Sequence, residues 1–83
     1  IYKGYYVVYG NGTYFYDVCY TITEQGAIDY TRRYVEDKYG IYLKWHSKDK
    51  KHGRLGGFAG TELTIYVKEI QVLDTWLFSQ TMI

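Results

Sequence analysis

Apolar and aromatic residues crowd the first quarter of the chain, and one dipeptide divides them. Residues Lys3–Ile22 are almost wholly β-prone, and Asn11-Gly12 interrupts them. Asn-Gly between two such runs predicts a β-hairpin. A type I′ turn needs φ > 0 at both central residues, which Asn and Gly tolerate best. With those two residues as the turn, Tyr9 faces Tyr14, Val8 faces Phe15, Val7 faces Tyr16, Tyr6 faces Asp17, Tyr5 faces Val18 and Gly4 faces Cys19. Opposed residues share a face of the sheet. One face then carries Tyr5, Val7, Tyr9, Tyr14, Tyr16 and Val18, continuing to Tyr20 and Ile22. The other carries Tyr6, Val8, Phe15, Asp17 and Cys19, with Thr13 and Thr21 at its ends. The first face is expected under a helix and the second half in water. A slip of one residue exchanges the faces of one strand.

The periodicity then changes from two to 3.6. Residues 23–39 predict a helix with Ala27, Ile28, Thr31, Tyr34, Val35 and Tyr39 as its buried stripe. Thr21 with Glu24 three residues later fits a capping box, and Thr23 is a rival cap. Gly40 is placed to close the helix with a left-handed residue. Asp29–Arg33, Arg32–Glu36 and Arg33–Asp37 have the i,i+4 spacing of solvated ion pairs. A third strand is read over 41–46, with Ile41, Leu43 and Trp45 turned to the core. Residues 47–60 hold four glycines in fourteen positions and read as a loop. A fourth strand runs over 61–73, where the apolar parity switches near Lys68-Glu69 and predicts a bulge or break. Residues 74–83 form an apolar tail that folds back on the sheet or docks on a partner or second copy. The expected architecture is α+β, in the order β-β-α-β-β. It is one domain over 1–83, an antiparallel sheet of about four strands with a helix across one face.

Composition sharpens this picture in two places. Hydrophobic residues make up 47% of the chain, yet its mean hydropathy is −0.35. Twelve tyrosines reconcile the two values, being both apolar and polar, and they exceed what so small a core hides. The net charge of +1 conceals a polarised molecule. From Lys44 to Arg54 there are five positive residues and one negative, while the remainder has five positive and eight negative. No run of about 18 apolar residues marks a membrane helix. The start lacks the layout of a signal peptide, and Cys19 has no partner for an internal disulfide. A cytoplasmic setting is expected.

The chemistry on offer is that of surfaces. The Lys/Arg/Gly segment 47–60 can contact phosphates, with His46 and His52 as added donors, but no RNA-binding aromatic motif or zinc-finger spacing accompanies it. Gly53-Arg54-Leu55-Gly56-Gly57 runs into a strand, unlike a nucleotide-gripping loop that opens a helix. Cys19, His46, Asp49 and His52 lack metal-site spacing. Asp17, opposite Tyr6 on this register, is expected to bond to that phenol rather than act as a base. Cys19, facing Gly4, is expected to pack as a small apolar group. The chain therefore reads as a non-enzyme that needs no cofactor or metal. The residues expected to meet a partner are Tyr6, Tyr9, Tyr14, Tyr16, Tyr42, Lys48, Lys50, Lys51, Arg54, Trp76 and Phe78. A protein partner is expected first, and nucleic acid through the basic loop second, with tyrosines stacking on bases. A homodimer through the tail is a third expectation. In size and composition the chain resembles the small phage-encoded proteins that block host machinery, anti-CRISPR proteins among them. That likeness implies an inhibitor of a larger nucleic-acid-handling complex inside a bacterial host cell.

Overall fold

Two β-prone runs joined at Asn11, one amphipathic helix and three shorter strands assemble into an antiparallel sheet with the helix on one face. The computed structural model describes residues 1–56 and 60–71. Its elements are β1 (Tyr2–Gly10), β2 (Gly12–Thr21), α1 (Glu24–Tyr39), a 3₁₀ turn (Gly40–Tyr42), β3 (Leu43–Trp45), β4 (His52–Leu55) and β5 (Glu62–Glu69). The sheet has five strands in the order β2-β1-β5-β4-β3, every neighbouring pair antiparallel. The α+β class and the helix across one face are as expected. The additional strand is β4, which lies inside the segment read as a loop. Glycine lowers strand propensity, but Gly53 has a packing reason to be there. A Cβ at Gly53 would come within 2.8 Å of Leu43 Cδ1, 3.0 Å of the Lys44 carbonyl and 3.2 Å of the Trp45 ring.

The hairpin register differs from the expected one by one residue. Gly10 lies opposite Gly12, Tyr9 opposite Thr13, Val8 opposite Tyr14, Val7 opposite Phe15, Tyr6 opposite Tyr16 and Tyr5 opposite Asp17. The turn is centred on Asn11 and is not type I′, because Asn11 does not take a positive φ whereas Gly12 does, at 145°. A bulge between Gly4 and Tyr5 on β1 admits Val18 as an extra residue on β2, and Gly4 then meets Cys19 as expected. The consequence is a re-sorting of faces. Tyr6 and Val8 of β1 join Tyr14, Tyr16 and Val18 of β2 on the helix side, while Tyr5, Val7 and Tyr9 join Phe15 and Asp17 on the other. Asp17 accordingly pairs with Lys3 at 3.0 Å rather than with Tyr6.

The core lies between α1 and this side of the sheet. Tyr6, Val35, Leu55, Leu63 and Ile65 are buried together, with Val8, Val18, Tyr39, Leu43 and Trp45 packed at their margin. From α1, Ala27, Thr31 and Val35 are buried, as the stripe predicts, and Tyr34 stays exposed. Thr23 is the cap, since its hydroxyl accepts from the Gly26 N–H at 3.0 Å, and Thr21 instead donates to the Thr23 carbonyl at 2.6 Å. Gly40 ends the helix at φ 57°. The ion pair formed on its solvated side is Asp29–Arg32, at 3.6 Å and i,i+3 spacing. Ile41 does not enter the core. The 3₁₀ turn holds it 94% exposed, and the third strand starts only at Leu43. β5 ends at Glu69, where the parity switch was noted, and the Ile70 N–H donates to the Ile1 carbonyl at 2.8 Å. The expected end of that strand at 72–73 and the apolar tail at 74–83 lie outside the described residues.

Helix and sheet come close together at Gly4, where a Cβ would collide with Thr31 Oγ1 and sit 3.0 Å from Cys19 Sγ and 3.1 Å from the Ala27 carbonyl. Gly4→Ala is therefore expected to lower unfolding stability by about 2 kcal/mol, the range for overpacked sites. Adding Thr31→Ala to it should recover part of the loss. Chemical denaturation of the two singles and the double measures this coupling, and simple additivity would show that Thr31 is not what the new methyl meets.

Candidate interaction surface

The face of the sheet away from α1 is built by register. Reading across the strands, one row is Tyr20, Lys3 and Lys68, and the next is Asp17, Tyr5 and Tyr66. Then come Phe15, Val7, Thr64 and His52, followed by Thr13, Tyr9, Glu62, Arg54 and Lys44. Aromatic rings thus concentrate on the β2-β1-β5 part of the face, with Lys3, Asp17 and Lys68 towards one end of these strands, while the β4-β3 part carries His52, Arg54 and Lys44. Val7 is buried among them, while Phe15 is 68% exposed and Tyr20 and Tyr66 are exposed.

These side chains hold one another in place. The Tyr5 and Tyr66 rings stack with centroids 5.4 Å apart and planes 19° from parallel. The Tyr9 and Tyr66 hydroxyls lie 3.0 Å apart, and this hydrogen bond raises the Tyr9 pKa above its ordinary value. Lys3 sits over the Tyr5 ring at 5.6 Å, and its hydrogen bond to Asp17 raises its pKa. Such exposed contacts add little stability each, but they fix the rings. At the charged end His52 Nδ1 is 2.9 Å from Thr64 Oγ1, His52 Nε2 is 3.4 Å from Glu62, and Arg54 is 3.6 Å from the same carboxylate.

The residues expected to meet a partner do not form one patch. Tyr6 is a correction. It is fully buried, because the one-residue shift turns it under the helix. Its hydroxyl accepts from Lys38 Nζ at 3.0 Å and from the Tyr39 hydroxyl at 3.4 Å, and its ring stacks on Tyr16 at 5.0 Å. Tyr14 and Tyr16 are exposed on the helix side of the sheet margin, and Tyr42 is exposed in the 3₁₀ turn. Among the described members of that set, Tyr9 and Arg54 alone lie on the helix-free face. Lys48 and Lys50 are exposed in the turn between β3 and β4, and Lys51 is half-buried. That turn is short and ordered. Ser47 Oγ accepts from the Lys51 N–H at 3.0 Å and the His52 N–H at 3.1 Å, and Asp49 accepts from the Lys51 N–H at 3.3 Å. The Ser47 hydroxyl, with that amide, holds the Asp49 carboxyl below its ordinary pKa. Trp76 and Phe78 lie outside the described residues. Tyr5, Phe15, Tyr20 and Tyr66 were not singled out as partner residues. The alternation of Thr64, Tyr66 and Lys68 against Leu63, Ile65 and Val67 was the available signal for Tyr66.

No group of three or more potential metal ligands clusters among the described residues. A depression of about 130 Å³ lined by Tyr30, Arg33, Tyr34 and Asp37 is smaller than sites that enclose cofactors. No helix of the described residues is long and apolar enough to cross a membrane. Comparison with protein families, curated proteins and solved structures finds no match.

The buried Tyr6 and the partly buried Tyr39 make a pH prediction. Burial raises the Tyr6 pKa, and burial followed by the Tyr6 hydrogen bond raises that of Tyr39. In the unfolded chain both titrate near about 10. Above that pH the unfolded state holds fewer protons than the folded one, so stability falls as pH rises, and below it these groups have no effect. Phenolate absorbance during alkaline titration should resolve a late-titrating class. Tyr39→Phe should remove one phenol from that class and move the alkaline unfolding midpoint upward.

Proposed function

We propose that the chain is a small non-catalytic protein-binding module. In this reading it acts in the manner of phage-encoded inhibitors on a larger nucleic-acid-handling complex, in the cytoplasm of a bacterial cell. The observation that carries the reading is the helix-free sheet face, with aromatic side chains grouped around Val7 and charged ones at its margins. Interfaces are built in this way, with aromatic anchors at the centre and polar groups at the rim. Rings already held by stacking and hydrogen bonds lose little freedom on binding.

Two features favour a protein over nucleic acid. Stacking on bases needs ring faces free to receive them, and Tyr5 and Tyr66 cover one face of each other. A phosphate track needs an unbroken run of cations, whereas Arg54 faces Glu62 and Asp49 sits among Lys48, Lys50 and Lys51. The exposed lysines of the β3-β4 turn suit an acidic patch at the edge of a protein partner, where they speed association and set orientation.

Binding experiments decide between the two. A partner captured from a bacterial lysate by the wild-type chain should be lost with Tyr66→Ala or Tyr9→Ala, each weakening binding about tenfold or more. It should be retained with Ile41→Ser, on the exposed 3₁₀ turn, all three being checked for folding by circular dichroism. In parallel, DNA and RNA are offered at two salt concentrations. Salt-sensitive binding that disappears when Lys48, Lys50, Lys51 and Arg54 become Ala would replace this reading with nucleic-acid recognition.

A further inference from the structure

The two edges of the sheet are treated differently. β3, at one edge, is three residues long and carries Lys44. Short length and an exposed lysine both discourage a further strand from adding there. β2, at the other edge, is ten residues long, and among the described residues no strand pairs with its outer side. Thr13, Tyr14, Phe15 and Tyr16 are β-prone and exposed, with no Pro, Lys or Glu among them. The only charge on the strand, Asp17, is paired with Lys3. The bulge that blunts an edge comes after Asp17 and leaves the stretch before it regular.

The geometry points to a second copy of this chain as the occupant of that edge, paired antiparallel β2 to β2 about a two-fold axis centred on Phe15. The reason is self-complementarity. A two-fold axis perpendicular to the sheet keeps both helices on one side, so each residue must meet one of its own face. Centred on Phe15, the pairing sets Phe15 against Phe15, Tyr14 against Tyr16 and Thr13 against Asp17. The aromatic residues meet aromatic residues, and the two Asp17 carboxylates, the only charges, are kept apart. Centring on Tyr16 instead would set Tyr14 against Val18 at the bulge. Centring on Tyr14 would set Gly12 against Tyr16 and leave Asp17 beyond the paired stretch. Pairing about a two-fold axis uses the same strand on both copies and therefore closes. The remaining edges are the two copies of β3, so two five-stranded sheets become one with both long edges consumed. This inference does not rest on the protein-binding proposal, whose test residues Tyr9 and Tyr66 lie on other strands.

Sedimentation over a wide concentration series measures the dimer, and disulfide formation reads its register. The wild-type chain should reach the mass of a dimer. Phe15→Lys, at an exposed position, should raise the dissociation constant about tenfold or more while leaving the far-ultraviolet spectrum unchanged. In a Cys19→Ser background, Phe15→Cys should cross-link to itself under oxidation, because directly opposed residues lie within disulfide reach. Tyr14→Cys and Tyr16→Cys should each fail to cross-link alone and should do so when mixed. A wild-type chain that stays monomeric throughout, including one whose edge captures an extended segment of another protein, overturns the inference. So does a dimer that tolerates Phe15→Lys and shows no cross-link at position 15.

Discussion

Helix α1 can lie on the sheet because Gly4 carries no side chain. The backbone of β1 passes directly under Thr31 and Ala27 there, with Cys19 beside it at 3.6 Å from the Thr31 hydroxyl. This contact sets what the hairpin must do. Gly4 has to meet Cys19, while the turn at Asn11 sets a pairing one residue out of step with that, and the extra residue Val18 absorbs the difference. A bulge there is the geometric consequence of a tight turn at one end and a close helix contact at the other. Every later assignment of side chains to faces follows from it.

Two groups of tyrosines with different physics form on the two sides of the sheet. Tyr6, Tyr16, Tyr34 and Tyr39 gather around Lys38, whose ammonium lies between 5.2 and 5.9 Å from each ring centroid. The cation in the last turn of α1 complements the helix dipole and also gives the buried Tyr6 hydroxyl a donor. A buried phenol without such partners would be costly, and none of the buried side-chain polar atoms among the described residues lacks one. These rings are tyrosine rather than phenylalanine at the margin of a thin core because each can place its hydroxyl towards water or a neighbour. The second population, Tyr5, Tyr9 and Tyr66, has no helix above it and takes its order from neighbours within the sheet.

The parts of this arrangement legible in the sequence were those decided by local chemistry. The helix stood out through its 3.6-residue stripe and the glycine after Tyr39, and its bounds are nearly as read. The hairpin stood out as well, but its register did not. Asn11 is flanked by Gly10 and Gly12, so two loops differing by one residue are sterically open. Gly4 meets Cys19 under either loop, and the two differ in whether Asp17 or Tyr16 lies opposite Tyr6, which is buried beneath α1. Periodicity within the hairpin does not report that contact with the helix. β4 was hidden for a related reason, since Gly53 weakens the strand pattern and is required by the packing of Leu43 and Trp45 against it. Ile41 was misplaced because Leu43 and Trp45 share its parity, and alternation carries no mark of where a 3₁₀ turn hands over to a strand. Of the expected binding residues, Tyr6 failed because its neighbours were assigned through the slipped register, whereas Lys48 and Lys50 needed only their own polarity to be read as exposed.

Strand order then does what composition alone could not show. The chain is nearly neutral, but the crossing that places β5 between β1 and β4 sends the basic segment to one end of the sheet and the aromatic hairpin to the other. On the helix-free face the β2-β1 half bears only the Lys3–Asp17 pair as charge, whereas the β4-β3 half bears His52, Arg54 and Lys44 beside Glu62. A partner of the kind proposed, lying across that face, would meet apolar contact area at one end and an electrostatic field at the other. The first would set how long it stays, and the second how fast and in which orientation it arrives. Because the two are carried by different strands of one rigid sheet, neither can be turned relative to the other without breaking the β1-β5 pairing that runs from Tyr2 to Tyr9.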